Sequence, residues 1–325
     1  MVVDVKINGQ KSLTPIFDKA SNINEFIMIV RQANEIIMSN RKPNMEIEWK
    51  VDENGRRSPV TKADIIANNL ICSFLKSFSE TCFDMPENSL IISEENQEIP
   101  FEERNSMEYA AIWVVDPLDG TSSYINYDEE ACEFLDDGFT VNIARLEQRR
   151  FPNGDGTFTI RWEPIFGIIG CPVSNTVYFG GEGQGSFVVH PDNSIYPIGM
   201  DYPKKVKKNF SNIMSRRNVR VAVSASHSNE KTEKLLTNLF GNKIDKTPSG
   251  SSMKFIDVFL GKVDFYPRLG RTMEWDICAA VAIGKACGFN IKIYDEDTVL
   301  SKNFNDLPSV TFNKEDLSNP YFIVY

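Results

Sequence analysis

The sequence predicts an α+β protein whose first half combines helices with an antiparallel sheet and whose second half alternates strands and helices. Three observations carry this. Apolar residues recur at helical spacing over residues 23–37 and 66–78. Three strand-like runs between residues 165 and 190 are joined by short links, Cys171 to Ser174 and Gly181 to Gly183, which suit a meander. After about residue 195 the pattern becomes α/β in style. The chain is therefore divided into residues 1–195 and 196–325.

Taken in order, Ser21 or Asn22 is expected to cap a helix with Ile23, Phe26, Ile27, Val30, Ala33 and Ile37 inward. Ser58 to Asp64 opens a second helix, running from Lys62 with Ile66, Leu70, Phe74 and Phe78 on one stripe. Strands are expected near 89–93, 110–115, 139–146, 165–170, 174–180 and 185–190. The acidic stretch Asn126 to Asp137 reads as an exposed, mobile loop, a substrate-ordered lid being the alternative. The Lys-rich stretch Tyr202 to Lys208 reads as a solvated loop. Then come strand Arg220 to Ser224, helices 229–240 and 251–260, strand Val263 to Tyr266, helix 275–287, strand Asn290 to Tyr294 and a last strand, Tyr321 to Tyr325.

Composition limits the function. The chain has 325 residues, 42% hydrophobic and 25% charged, as in soluble globular proteins. A net charge of −10 argues against non-specific binding of nucleic-acid polymers. It leaves an anionic small molecule open, because bound metal inverts the local sign. No apolar run reaches membrane-spanning length and MVVDVKINGQ lacks a signal-peptide pattern, so a cytoplasmic location is expected. The cysteines, Cys72, Cys82, Cys132, Cys171, Cys278 and Cys287, form no CxxC pair and read as buried thiols. His190 and His227 suggest no triad.

Trp113 to Thr121 (WVVDPLDGT) is the most informative run. A buried strand leads into two carboxylates three apart, with a turn-forming Pro between them and Gly-Thr after. Acids that close repel unless a cation lies between them, and hard oxygen ligands select a hard ion such as Mg²⁺. The N–H groups of Gly120 and Thr121 could then face an anion. An isolated Asp-Pro-x-Asp-Gly also suits a plain turn. Further acids stand at element ends, however: Glu94-Glu95 after the apolar run Ser89 to Ser93, Asp276 after Glu274-Trp275, and Asp64. Singly, Asp64 and Asp276 read as helix-start acids; the set together points to metal-assisted phosphate chemistry.

These residues carry a resemblance. Glu94-Glu95, Asp116-Pro-Leu-Asp-Gly-Thr121 and Trp275-Asp276-Ile-Cys-Ala-Ala280 stand in the order found in the lithium-sensitive, Mg²⁺-dependent phosphatase superfamily, which includes inositol monophosphatase and 3'(2'),5'-bisphosphate nucleotidase. The likeness runs from about Ile23 to the C-terminus and implies the αβαβα sandwich of that superfamily. It implies that Glu94, Asp116 and the Leu118 carbonyl hold one Mg²⁺, that Asp116, Asp119 and Asp276 hold a second, and that a third, where present, is shared by Glu94 and, through water, Asp64. The metals would acidify a bound water and neutralise the phosphoryl oxygens. Asp64 with Thr121, or Glu94, would take the proton.

Substrate choice rests on other stretches. Pro248 to Phe255 is similar to the GSSxKF segment of bisphosphate nucleotidases, Tyr266 to Gly270 to their YPRxG, and Ser224 to His227 to their SxSH. The resemblance assigns Gly120, Thr121, Ser226, His227, Ser251, Ser252, Lys254 and Arg268 to substrate. Lys254 and Arg268 would serve a second, non-reacting phosphate, Arg268 standing where inositol monophosphatases carry an acid. Two departures stand out. Ser122-Ser123-Tyr124-Ile125 replaces the usual Lys-Glu-aromatic and is closer to inositol polyphosphate 1-phosphatases, and Ala225 replaces a basic residue. The resemblance thus implies a monomeric, Li⁺-inhibited phosphomonoesterase releasing the 3'-phosphate of adenosine 3',5'-bisphosphate. The alternatives are an inositol polyphosphate 1-phosphatase, a dual-specificity enzyme and an inactive ligand-binding protein.

Overall fold

Two long amphipathic helices open the described chain and cover one face of a mixed sheet. The computed structural model describes residues 20–51, 55–81, 89–106, 108–135, 138–199, 210–224, 230–300 and 304–325. In chain order its first elements are α1 (Ala20–Asn40), β1 (Ile47–Val51), β2 (Arg57–Thr61), α2 (Lys62–Thr81), β3 (Ser89–Ser93), α3 (Phe101–Arg104), β4 (Ala111–Asp119) and α4 (Thr121–Ile125). There follow β5 (Tyr127–Asp128), β6 (Glu133–Phe134), β7 (Thr140–Pro152), β8 (Phe158–Cys171), β9 (Thr176–Gly181), β10 (Gly185–Val189) and β11 (Ile195–Ile198). The second half contributes α5 (Phe210–Met214), β12 (Val219–Ser224), α6 (Glu230–Phe240), β13 (Ile244–Ser249), α7 (Met253–Phe259), β14 (Tyr266–Arg268), α8 (Glu274–Ala286), β15 (Ile291–Ile293), α9 (Glu296–Leu300) and β16 (Phe322–Val324).

The main sheet has seven strands in the order β11-β10-β9-β8-β7-β4-β3. Every neighbouring pair is antiparallel except β3 and β4, which run parallel. One face packs on α1 and α2 through an aromatic cluster: the Phe26 ring lies 5.1 Å from Phe74, 4.9 Å from Phe78 and 5.4 Å from Trp113. The other face packs on α8, whose residues Ile277 to Ile283 are buried. Gly167 of β8 makes this approach possible, because a Cβ there would overlap the Ala279 backbone. Beyond α8, β12 and β13 pair in parallel, and β14, β16 and β15 form an antiparallel sheet joined to β12 by the Val221–Phe265 bridge. A third core under α5 and α6 closes that side. The layers are thus helix, sheet, helix, sheet, helix.

Several local expectations change. Helix α1 begins at Ala20, so Ser21 and Asn22 lie within its first turn instead of capping it. Ser58 to Thr61 is strand, paired with Ile47–Lys50 in a hairpin, and passes into α2 without a linker. Much of the acidic stretch is also a hairpin, β5 with β6. Its turn is held by Asp128 Oδ1, which accepts from the amides of Glu130 (2.8 Å) and Ala131 (2.9 Å), and the Arg41 guanidinium lies 3.9 Å over the Phe134 ring. Cys132 is exposed, whereas Cys171, Cys278 and Cys287 are buried, and all are free thiols. Cys82, residues 136–137 and the Lys-rich 202–208 lie outside the described residues. Among the described residues no helix is long and apolar enough to cross a membrane.

Candidate active site

Strand β4 does not end at Asp116. It continues to Asp119 across an irregularity in which three residue steps, Asp116 to Asp119, oppose two on β7, Asn142 to Thr140. In a regular strand, positions three apart face opposite sides of the sheet. The extra residue of a bulge reverses that parity, so both acids serve one site. Pro117 lacks the N–H that a regular ladder uses, which suits the irregularity. The expected turn is therefore a bulge within the strand.

Glu94 directly follows the parallel partner strand, and its amide donates to the Val115 carbonyl (3.2 Å), bringing Glu94 and Asp116 to the carboxyl ends of adjacent parallel strands. Asp64 and Asp276 arrive on helices by a shared device. The Asp64 Oδ2 atom accepts from the Thr61 amide (2.8 Å) and hydroxyl (2.6 Å). Asp276 Oδ2 accepts from the Met273 amide (2.9 Å). Each acid reaches back to cap its own helix start and keeps its second oxygen for other partners. For Asp64 that oxygen, Oδ1, lies 3.1 Å from the Thr121 hydroxyl, which is also 3.1 Å from the Leu118 carbonyl.

Asp116, Asp119 and Asp276 can place carboxylate oxygens within 4.8 Å of one another. Glu94 borders this trio. Burial pushes its carboxyl up to about 8, helped by the charges of Asp276, Glu95 and Asp119 and opposed by Lys50. Burial, then Asp119, pushes Asp276 up to about 7. Burial also raises Asp116 well above the carboxylate range, with Glu94 next in effect. Asp119 is raised by burial against the opposing pull of Lys254 and of hydrogen bonds from Asn142 and Ser252. Asp64, 2% exposed, is pushed up to about 6 chiefly by burial. Such crowding of buried oxygen donors fits a hard divalent cation.

The loop before α7 completes the site. The Ser252 amide donates to Asp119 Oδ2 (2.8 Å) and its hydroxyl to the Asp276 carbonyl (2.9 Å). Ser252 thus braces two acids, a different use from the substrate contact expected of it. Ser251 sits at φ +42°, and its buried hydroxyl has no hydrogen-bond partner among the described residues. The same holds for buried Nε of Arg268, whose Nη2 donates to the Arg271 carbonyl (3.0 Å). Lys254 is buried; its ammonium lies 3.3 Å from the Ser249 carbonyl, and its charge is felt by Asp119 and Asp276. Gly120 has φ +91°, and the Gly138 carbonyl packs so closely that a Cβ on Gly120 or Gly250 would meet it. Ser226 and His227 lie outside the described residues.

Sequence reasoning missed the braces. The Asn142 amide (3.2 Å) and Thr140 hydroxyl (3.4 Å) reach Asp119 Oδ2 from β7. The Ser93 hydroxyl donates to Asn68 Oδ1 (2.7 Å), and Asn68 to Asn96 Oδ1 (2.8 Å), clasping α2 to the turn that carries Glu94. Polar residues inside the otherwise apolar runs of β7 and α2 were the available signal. A groove of about 680 Å³ at the end of α8, lined by Arg149, Glu163 and Lys285, contains none of these acids.

The layered fold and the acid cluster between its sheets are those of a phosphatase. Residues 19–305 match the inositol monophosphatase family, and the chain belongs to that family. It is 29% identical over 305 residues to the 3'(2'),5'-bisphosphate nucleotidase CysQ of Haemophilus influenzae, covering 93% of this chain and 91% of that one. The Escherichia coli enzyme of the same name is 29% identical over 272 residues, 83% and 89% of the two chains. Among solved structures, CysQ of Bacteroides thetaiotaomicron superposes with a TM-score of 0.63 at 28% identity, covering 94% and 96%. An IMPase of Thermotoga maritima shares the fold, with a TM-score of 0.59 at 17% identity over 94% and 91%.

Proposed function

We propose that this phosphatase is a Mg²⁺-dependent, Li⁺-inhibited 3'(2'),5'-bisphosphate nucleotidase that removes the 3'-phosphate of adenosine 3',5'-bisphosphate to leave AMP. The observation that carries the reading is the pairing of the acid trio Asp116, Asp119 and Asp276 with cationic Lys254 on helix α7 and Arg268 on strand β14. Relatives named for that activity support it. Asp116, Asp119 and Asp276, joined by Glu94 and the Leu118 carbonyl, would hold the metal. The bound ions would supply Lewis acidity at the reacting phosphoryl group.

The protein's own groups do the remainder. Asp64, poised at about 6, takes the proton of the attacking water through Thr121. The amides of Gly120 and Thr121 and the Ser251 hydroxyl face the phosphate, with Ser226 and His227 assigned to the nucleoside. The unpartnered Nε of Arg268, together with the Lys254 ammonium, takes the second phosphate. Ser122 to Ile125 favours the inositol polyphosphate 1-phosphatase reading. Here, however, Ser123 and Tyr124 are buried, and the Tyr124 hydroxyl donates to the Ile37 carbonyl (3.0 Å), so that departure serves packing against α1.

The test is phosphate release from adenosine 3',5'-bisphosphate, inositol 1,4-bisphosphate and inositol 1-phosphate, each with Mg²⁺, with EDTA and with added Li⁺. The nucleotide should be turned over fastest, and both EDTA and Li⁺ should suppress the rate. A faster rate on inositol 1,4-bisphosphate would reverse the assignment.

A further inference from the structure

The segment that precedes β16 closes over the start of α8 and is fastened to it by buried hydrogen bonds. Glu274, 1% exposed, accepts from the amides of Asn313 (2.7 Å) and Lys314 (2.9 Å) and from the Lys314 ammonium (2.5 Å). Its own amide donates to the Leu317 carbonyl (2.8 Å). Asn313 and Leu317 hold φ at +56° and +53°. A leucine adopts that left-handed conformation at a cost, and it persists only where surrounding contacts dictate it.

The segment then reaches Asn319, which is buried. Its backbone amide donates to the Thr272 carbonyl (2.8 Å). Its side-chain amide donates to the Met273 carbonyl (2.6 Å) and the Thr272 hydroxyl (3.2 Å). The Lys314 ammonium donates to Asn319 Oδ1 (3.3 Å), to Glu274 and to the Thr311 carbonyl (2.8 Å). An ammonium only donates, so this contact fixes which way round the Asn319 amide lies, with its NH₂ toward Met273. Met273 is in turn bonded to Asp276 from both sides of its own backbone. The Met273 amide donates to Asp276 Oδ2 (2.9 Å), and the Met273 carbonyl accepts from the Asp276 amide (3.2 Å). Asn319 and Asp276 therefore share one carbonyl, and Asn319 secures the residue from which the Asp276 carboxylate hangs.

We propose, on the Mg²⁺ reading above, that Asn319 is a positioning residue for the metal: acting through Met273, it holds Asp276 so that its second oxygen turns toward Asp116 and Asp119. A carboxylate with one oxygen tethered has little orientational freedom left to lose when an ion binds. Releasing Met273 returns that freedom and weakens the hold on the ion.

The test is Mg²⁺ titrated calorimetrically into the full chain with no substrate present. Asn319→Ala should bind about tenfold more weakly than the parent. Asn319→Ser, whose hydroxyl is too short to span to the Met273 carbonyl, should do the same and stands in if the alanine variant does not fold. Val189→Ala, a truncation in the core on β10, should lower the melting temperature and bind Mg²⁺ as the parent does. Kinetics separate positioning from general loosening. In the Asn319 variants the Mg²⁺ concentration for half-maximal rate should rise about tenfold, while kcat at saturating Mg²⁺ returns to the parent's. Parental Mg²⁺ affinity in an Asn319 variant overturns the proposal, as does a kcat that stays depressed at saturating Mg²⁺ or an equal loss of affinity in Val189→Ala. A parent that binds no Mg²⁺ overturns the metal reading itself, so the two failures are told apart.

Discussion

Asp119 shows how one side chain can be costly to the fold and necessary to the chemistry. Its carboxylate is buried among other acids and eased by Lys254, Asn142, Thr140 and Ser252. Asp119→Asn should lower turnover at least about a hundredfold, while the metal-free melting temperature stays level or rises. Phosphate release and thermal unfolding in EDTA measure the two effects. A related prediction concerns pH. Asp64, Asp276 and Glu94 have folded-state pKa values raised to about 6, 7 and 8. A raised carboxyl value means that the folded state holds protons more tightly than the unfolded one. Stability from this source is present below the ordinary carboxylate range and lost as pH climbs through 6 to 8. Metal-free protein should thus melt lower at pH 8 than at pH 5, and Mg²⁺ should raise the melting temperature more at pH 8. A scan of melting temperature with and without Mg²⁺ reads both.

At the scale of elements, the helices and central strands were legible because their apolar residues repeat with the expected periods. Ile23 to Ile37 and Leu90 to Ile92 are examples. The acids were legible by type and order. Their convergence was expected from the set of acids and from the resemblance, not from periodicity, because the bulge at Pro117-Leu118 leaves no periodic signature and parity depends on register with β7. Strand β13 escaped notice because Asp245, Lys246, Thr247 and Pro248 are exposed and show no apolar run. The β1–β2 hairpin was missed for a similar reason: all five residues of β1 are exposed. Backbone approach is equally silent in sequence, and Gly250 against Gly138 is the instance on which the site depends. Gly250→Ala should destabilise the protein by about 1–3 kcal/mol through forced separation of these loops. Activity should fall further than stability accounts for, since Ser252 would leave Asp119. Denaturant unfolding beside steady-state rates checks this.

At the scale of the whole molecule, a buried arginine ties distant segments together. Arg104, 1% exposed, donates to the carbonyls of Ile99 (2.8 Å), Lys314 (3.0 Å) and Glu315 (2.8 Å) and to Asn313 Oδ1 (2.9 Å). It therefore fastens the approach to β4 onto the segment before β16. Arg104→Leu should cost about 2–4 kcal/mol, since four acceptors would lose their donor; chemical denaturation is the measurement. The division of oxygens in Asp64 and Asp276 has a larger consequence. Fraying at the start of α2 or α8 lets go of the very carboxylates that the reaction centre requires. Warmth should accordingly extinguish turnover several degrees before the body of the protein melts, with catalysis acting as an early alarm for two loosening helix tips.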